Sequence, residues 1–254
     1  MVIGDDSIDW KRFDAVLFDL DGVITATATV HASAWKQMFD EFLTSHAERT
    51  GTPFVSFEIE GDYKPYVDGR PRYDGVATFL KSRKIDLPRG EPSDDPAQLT
   101  VCGLGNRKNE MIQEVLATDG VEVFEGSVQL VFWLHQQVIR QAIVSSSKNA
   151  EAVLEAAGIK DFFEVRVDGV VAAEKKLPGK PRPDTFLEAA RLLGVEPARA
   201  VVVEDALAGV KAGVNGSFGL VIGVDREGDP EALKAAGADI VVDDLSQLVP
   251  TGDA

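Results

Sequence analysis

Cysteine, basic charge and long apolar runs are all scarce in this chain, and each shortage excludes a class of protein. Cys102 is the single cysteine among 254 residues, so no intramolecular disulfide can form and a reducing compartment is expected. Lys and Arg number 26 against 42 Asp and Glu, a formal net charge of −16. This balance argues against a nucleic-acid partner, because phosphate backbones require a basic patch. It does not exclude a small phosphorylated metabolite, since remote surface charge is screened by salt.

The hydropathy pattern excludes a membrane role. No apolar run approaches the roughly 18 residues that a membrane span needs, and no N-terminal segment resembles a secretory signal. We therefore expect a cytoplasmic protein without a membrane partner. The hydrophobic content of 44% and the charged content of 27% are typical of a soluble globular enzyme. Both a monomer and a small homo-oligomer are consistent with the sequence.

Apolar, strand-like runs alternate with helical patterns over the second half of the chain, and one further run lies near its start. The strand-like runs lie at 13–18, 140–144, 162–167, 200–203, 219–224 and 239–242. Helical spacing is found at 127–137, 150–157, 183–193, 207–213 and 230–236. Alternating β and α units of this kind predict a parallel, doubly wound sheet.

A helical block separates the first of these strands from the others. Helical spacing recurs at 31–46, 73–84 and 106–116, while 87–95 is rich in Pro, Asp and Gly and is typical of a solvated loop. Because the first strand belongs to the same sheet, the block is inserted after it. The sequence therefore predicts an α/β fold with two domains. Residues 1–27 and 123–254 form a Rossmann-like core, and residues 28–122 form an inserted α-helical cap domain.

Two carboxylates, Asp19 and Asp21, directly follow the first apolar run and precede Gly22. Open α/β sheets bind ligands beyond the carboxyl ends of their strands. A pair of acids at that edge suits metal-assisted phosphoryl transfer, in which one carboxylate attacks and the other moves protons. The alternative interpretation is an acidic turn that closes a strand.

Two further polar segments follow strands or precede helices of the predicted core. Ser145, Ser146 and Asn149 lie just after the run 140–144, where hydroxyls and backbone amides can bind an anion; simple helix capping is the alternative. Lys180 is followed by two nearby prolines that restrict its backbone. A lysine on such a tether can neutralise a phosphoryl group or the attacking carboxylate, whereas most lysines are solvated surface residues.

Adjacent acids, Glu204 and Asp205, end the apolar run 200–203. Neighbouring carboxylates repel one another unless a cation binds between them. Together with Asp19 and a backbone carbonyl of Asp21, they would form an oxygen-only site suited to Mg²⁺. Helix capping could explain Asp205 alone, but not the pair.

These segments, in this order, resemble the haloacid dehalogenase superfamily over nearly the whole chain. The motifs DLDGVIT, SSSKN, GKPRPD and VEDALAGVKAG are most similar to its β-phosphoglucomutase-like branch. The resemblance implies that Asp19 forms an aspartyl-phosphate and that Asp21 is the general acid and base. The phosphate contacts and metal ligands that it implies are, for phosphate, Ser145, Ser146, Asn149 and Lys180, and for Mg²⁺, Asp19, Asp21, Glu204 and Asp205.

Three polar residues of the predicted cap also resemble those of the mutase branch. His31 stands where such mutases carry a histidine that assists Asp21. Arg72 matches an arginine that holds the distal phosphate, with Arg70 as the alternative, and Lys108 matches a lysine that contacts the sugar phosphate. Each of them could instead be a solvated surface residue.

The resemblance implies interconversion of β-glucose 1-phosphate and glucose 6-phosphate through a bisphosphorylated sugar. A phosphatase that acts on a sugar phosphate or small metabolite through the same aspartyl-phosphate is the first alternative. A non-catalytic, phosphate-binding regulatory module is the second. Two departures bear on the substrate. The segment 86–104 is longer than in compact mutases, and Ala26 stands where many relatives have an acid.

Overall fold

A computed structural model of the chain describes residues 8–226 and 228–250. The chain divides into two compact units. The sheet unit comprises Met1–Ala26 and Glu122–Ala254, and the helical unit comprises Thr27–Val121.

Six parallel strands form the sheet. They are β1 (Ala15–Phe18), β2 (Arg140–Val144), β3 (Val165–Val167), β4 (Ala200–Glu204), β5 (Leu220–Val224) and β6 (Ile240–Val242). Their order is β3-β2-β1-β4-β5-β6, and Leu17 in β1 is in register with Ala142 and Val202 on either side. Every residue of β1 and β4 is buried, which explains why these strands appear in the sequence as continuous apolar runs.

The helical unit contains four helices. They are α1 (Ala28–Thr50), α2 (Lys64–Tyr66), α3 (Arg72–Ser82) and α4 (Val101–Asp119). A π-helical turn at Ile59–Tyr63 precedes α2. The core of the unit is aromatic: the ring centroid of the fully buried Phe39 lies 4.2 Å from that of Phe79 and 4.8 Å from that of Phe57. This cluster holds α1 and α3 together.

Helix α4 begins five residues before the predicted helix at 106–116, so that boundary was wrong. Thr100 caps its first turn, because the Thr100 hydroxyl accepts a hydrogen bond from the Gly103 amide at 2.9 Å. Two glycines in the first turns, Gly103 and Gly105, concealed the helical pattern. Gly105 permits close packing of α3, since a Cβ there would lie 2.8 Å from the Tyr73 ring.

The described residues of the sheet unit form six α-helices. They are α5 (Glu125–Gln136), α6 (Ala150–Ala156), α7 (Gly169–Glu174), α8 (Asp184–Leu193), α9 (Leu207–Asn215) and α10 (Pro230–Ala236). Helix α7 was not predicted; Asp168 caps it by accepting from two of its amides. The predicted α/β class, with a parallel sheet and an inserted helical segment, is confirmed. Among the described residues, no helix combines the length and apolarity needed to cross a bilayer.

Candidate active site

The candidate residues of the sheet unit lie where the strand order reverses. The chain passes from β1 to β2 and β3 on one side and later to β4 on the other, which creates a crevice beyond the carboxyl ends of β1 and β4. Asp19 directly follows β1, Ser145 follows β2, and Glu204 is the last residue of β4. The Asp19 amide donates to the carbonyl of Val203 at 2.9 Å. Parallel pairing therefore brings together residues that are far apart in sequence.

Lys180 lies between two of these carboxylates. Its Nζ contacts Asp19 Oδ1, lies 2.5 Å from Glu204 Oε1, and donates to the carbonyl of Val144 at 3.0 Å. The three ionisable residues are nearly excluded from solvent, with Asp19 6%, Lys180 3% and Glu204 1% exposed as whole residues. The sequence predicts the attacking carboxylate as a partner for Lys180, but not the ion pair with Glu204.

The buried group contains two carboxyl groups but only one lysine. Burial raises the pKa of Glu204 to about 8, although Lys180 favours its ionised form. Burial likewise raises the pKa of Asp19, against the opposing effect of Lys180. Desolvation would lower the pKa of Lys180, but the two carboxylates overcome that effect and raise it. One lysine therefore does not fully compensate the buried carboxylates, and a second cation would favour their ionised forms.

The donor set fits a hard divalent cation. Asp19, Glu204 and Asp205 each offer a carboxylate oxygen, and these oxygens lie within 4.8 Å of one another. Oxygen-only sets of this kind are preferred by Mg²⁺. The turn that follows Asp19 packs directly on the set: Gly22 has a φ of 88°, and a Cβ there would lie 1.7 Å from Asp205 Oδ2. The residues present therefore fit the metal that the sequence predicted.

The Asp21 carboxylate makes a different contact. Ser145, which is 2% exposed, donates from its hydroxyl to Asp21 Oδ2 at 3.4 Å. The same hydroxyl accepts from the amide of Ser147 at 3.0 Å. The turn continues through Ser146 to Asn149, whose amide donates to the Ser147 hydroxyl at 3.1 Å. The four predicted polar residues Asp21, Ser145, Ser146 and Asn149 thus lie on two neighbouring turns of the sheet unit.

A second group of candidate residues lies in the helical unit. Lys108 Nζ is 2.9 Å from His31 Nδ1 and 5.0 Å from the centroid of the Trp35 ring. Burial lowers the pKa of His31 well below its ordinary value of 6.5, and the charges of Lys108 and Arg72 lower it further. The ring is therefore neutral at pH 7, and its Nδ1 accepts a hydrogen bond from Lys108. Because Lys108 is only 5% exposed, its interpretation as a solvated surface charge was wrong.

Arg72, rather than Arg70, belongs to this group. Arg72 opens α3, and its Nη2 donates to Asn109 Oδ1 at 2.6 Å. Its guanidinium carbon lies 5.9 Å from the centroid of the Tyr73 ring, and burial lowers the pKa of Arg72. Within the part of the chain that the structure describes, no carboxylate forms an ion pair with Arg72. A half-buried guanidinium is thus held by neutral neighbours.

Two residues of this group, Tyr73 and Asn109, were not predicted from the sequence. Tyr73 donates to Asn106 Oδ1 at 2.9 Å, and Asn109 accepts from Arg72. Asn106 and Asn109 are three residues apart on α4 and therefore lie on the same face of the helix. That spacing, on both sides of Lys108, is the signal that could have identified them.

Comparisons with known proteins identify the family of the chain. Residues 13–216 match the haloacid dehalogenase-like hydrolase family. A β-phosphoglucomutase of Mycobacterium bovis is 50% identical over 242 residues, covering 94% of this chain and 92% of the relative. A fructose-1-phosphate phosphatase of Escherichia coli (strain K12) is 28% identical over 203 residues, covering 80% and 92%. The crystal structure of a β-phosphoglucomutase from Clostridium difficile has a TM-score of 0.73 at 28% identity, with 93% of each chain covered.

Proposed function

The chain belongs to the haloacid dehalogenase-like hydrolase family and is an enzyme of its phosphotransferase class, and from this premise we propose that it is a Mg²⁺-dependent β-phosphoglucomutase. It interconverts β-glucose 1-phosphate and glucose 6-phosphate through a bisphosphorylated sugar. The sheet unit is the catalytic core, and the helical unit is the cap. The identity to the M. bovis relative supports the assignment, as does the presence of candidate residues in both units.

Asp19 is the nucleophile. One of its carboxylate oxygens forms a bond to phosphorus while the bond from phosphorus to the sugar oxygen breaks, which yields an aspartyl-phosphate. Asp21 protonates the departing oxygen and later removes the proton of the accepting hydroxyl. Lys180, in contact with Asp19, favours the ionised carboxylate that the attack needs.

The phosphate contacts of the core come from Lys180 and from the turn of Ser145, Ser146 and Asn149. The residues that would hold Mg²⁺ are Asp19, Glu204 and Asp205, with the backbone carbonyl of Asp21. When bound there, the metal would supply positive charge to neutralise the transferring phosphoryl group. The nearly complete burial of Asp19 and Glu204 strengthens these electrostatic interactions, because little water screens them.

The observation that carries the mutase proposal is the position of Arg72 beside Lys108 and His31. A phosphatase binds one phosphate, whereas a mutase must also hold the second phosphate of its intermediate. Arg72 is half-buried and bonded to the neutral Asn109, so its charge is available for an anion. Arg72 and Lys108 therefore bind the phosphate that is not being transferred, and the neutral His31 assists the proton transfers of Asp21.

Arg72→Ala, with Arg70→Ala as the matched control, tests this proposal. A charge-assisted hydrogen bond contributes about 1.5–3 kcal/mol, so Arg72→Ala should lower kcat/KM for β-glucose 1-phosphate isomerisation by about 10- to 150-fold. Hydrolysis of para-nitrophenyl phosphate, which has no second phosphate, should change by less than about twofold. Equal effects of the two substitutions on isomerisation would remove Arg72 from the proposal.

A phosphatase remains the second candidate function, and one relative favours it. The E. coli fructose-1-phosphate phosphatase matches 80% of this chain, and the core residues are the same whether water or a sugar hydroxyl accepts the phosphoryl group. Release of inorganic phosphate from sugar phosphates, without isomerisation, would support this candidate. A module without turnover has no such support, since the family is one of enzymes.

A further inference from the structure

Arg226, just after β5, directs all three of its guanidinium nitrogens at backbone carbonyls. Its Nε donates to Gly22 O at 2.8 Å, its Nη1 to Asp243 O at 3.0 Å, and its Nη2 to Val23 O at 3.4 Å. The guanidinium carbon lies 3.6 Å from the centroid of the Phe124 ring. A planar fork with donors in fixed directions is what distinguishes arginine from lysine. Arg226 therefore ties the turn after β1 to the segments after β5 and β6.

The carbonyls that Arg226 holds belong to the turn that carries Asp21. The Gly22 amide donates to Thr25 O at 2.8 Å, while the Gly22 carbonyl accepts from Arg226. Gly22 is thus fixed on both of its peptide planes, at a φ of 88° that few other residues adopt. Because Gly22 is bonded to Asp21, the same contacts fix the backbone from which the Asp21 side chain projects.

The surroundings of Arg226 stabilise this arrangement further. The Ser127 hydroxyl donates to Val23 O at 2.6 Å, so this carbonyl accepts from two directions. Burial lowers the pKa of Arg226, while the carboxylates of Asp244, Asp205 and Asp243 favour its charged form. Several hydrogen bonds thus hold the turn after β1, and Arg226 donates two of them, to Gly22 O and Val23 O.

We propose that Arg226 is a positioning residue that orients Asp21 toward the leaving oxygen of the substrate. This inference rests on the proposed function, in which Asp21 donates its proton to the oxygen whose bond to phosphorus breaks as Asp19 attacks. A displacement of about 1 Å at a reacting group can cost about 100-fold in rate. The Asp21 carbonyl is also one of the groups that would hold Mg²⁺, so the comparison is made at saturating Mg²⁺. Under that condition, loss of the fork should slow the steps that depend on the Asp21 proton much more than the others.

Two aryl phosphates with different leaving groups separate positioning from a merely structural role. The leaving group of para-nitrophenyl phosphate departs as an anion without needing a proton, whereas that of phenyl phosphate depends on the general acid. The ratio kcat/KM reports only the first phosphoryl transfer, because the later discharge of the aspartyl-phosphate is common to both substrates. Arg226→Gln should lower kcat/KM for phenyl phosphate by about 10- to 100-fold and kcat/KM for para-nitrophenyl phosphate by less than about threefold. Arg226→Lys keeps the positive charge but loses the planar set of guanidinium donors. It should show the same preference for loss on phenyl phosphate, with a smaller difference between the two substrates.

The control is Arg199→Gln, because Arg199 pairs with Asp14 at the opposite end of the strands, and this variant should show no selectivity. Equal losses on both substrates, or no loss on either, would overturn the inference. If Arg226→Gln does not fold, Arg226→Lys decides by the same criterion.

Asp21→Asn is the reference and should show the largest selectivity. If Asp21→Asn affects both substrates equally, the proposed role of Asp21 is wrong, and the inference about Arg226 is wrong with it. If Asp21→Asn is selective for phenyl phosphate but the Arg226 variants are not, only the inference about Arg226 is wrong.

Discussion

Lys180 Nζ lies 2.5 Å from Glu204 Oε1, and the two side chains are 2% and 1% exposed. The same nitrogen contacts Asp19, so a single buried cation serves carboxylates at the ends of β1 and β4. Removal of one partner from such a group leaves an uncompensated buried charge. A further cation would therefore stabilise the ionised carboxylates of this site. Substitutions in the site are accordingly compared with matched controls, so that effects on turnover are distinguished from effects on folding.

Asp19→Asn should abolish both turnover and formation of an acyl-phosphate, because the amide does not attack phosphorus while its volume is nearly unchanged. Asp14→Asn is the matched control. Asp14 stands before β1 at its other end, where it pairs with Arg199 and is 45% exposed, so its substitution should leave turnover intact. The measurements are steady-state turnover and trapping of radioactive phosphate on the protein. Near-normal turnover of Asp19→Asn would show that another group attacks.

Removal of the metal should remove activity. Excess chelator should abolish turnover, and Mg²⁺ should restore it. Mg²⁺ at about 100 times its Kd should also stabilise the native state by about 2.7 kcal/mol, measured as a rise in Tm. Asp205→Asn should reduce this rise, whereas substitution of the exposed Asp161 by Asn should not. Full activity in excess chelator would contradict the metal site.

Gly22→Ala should weaken the binding of Mg²⁺, because the added Cβ would lie 1.7 Å from Asp205 Oδ2. Gly51→Ala is the control. Gly51 has a φ of 69° and no atom within 4 Å of such a Cβ, so both substitutions carry the left-handed strain of about 1–2 kcal/mol, but only one displaces a metal ligand. Titration of Tm with Mg²⁺ compares the two variants. Equal Mg²⁺ affinities would show that Asp205 is not a ligand.

The contribution of His31 to stability should fall as the pH decreases from about 6.5, because the ring is held neutral in the folded protein. The folded pKa is well below 6.5, so between the two values the unfolded chain binds one more proton than the folded chain. One such proton changes stability by at most about 1.4 kcal/mol per pH unit. His31→Gln should reduce this slope in urea unfolding at about pH 7.5 and about pH 5.5. An unchanged slope would contradict the neutral ring.

Much of the sheet could be predicted because its strands are covered on both faces. The runs at 140–144, 200–203 and 219–224 closely match β2, β4 and β5. The run at 162–167 was too long, since Lys160–Phe162 form a 3-10 turn before β3. Helix α1 extends to Thr50 and ends at Gly51 in the left-handed conformation, although its apolar spacing ends earlier.

The candidate site was predictable only where a motif follows a strand. Asp19, Ser145 and Glu204 could be placed at one edge because parallel strands end together. The pairing of Lys180 with Glu204 depends on tertiary contact, for which their sequence separation gives no signal. Burial of Lys108 was likewise hidden, because it lies in a polar stretch and is covered by His31 and Trp35 from another helix.

The central claim is that the acceptor of the phosphoryl group is a sugar hydroxyl. The direct test incubates the wild-type enzyme and Mg²⁺ with β-glucose 1-phosphate, with and without glucose 1,6-bisphosphate. Glucose 6-phosphate and inorganic phosphate are measured in the same samples. We predict that glucose 6-phosphate forms, that the bisphosphate accelerates its formation, and that inorganic phosphate is a minor product. Release of one phosphate per sugar without glucose 6-phosphate would contradict the claim and identify the enzyme as a phosphatase.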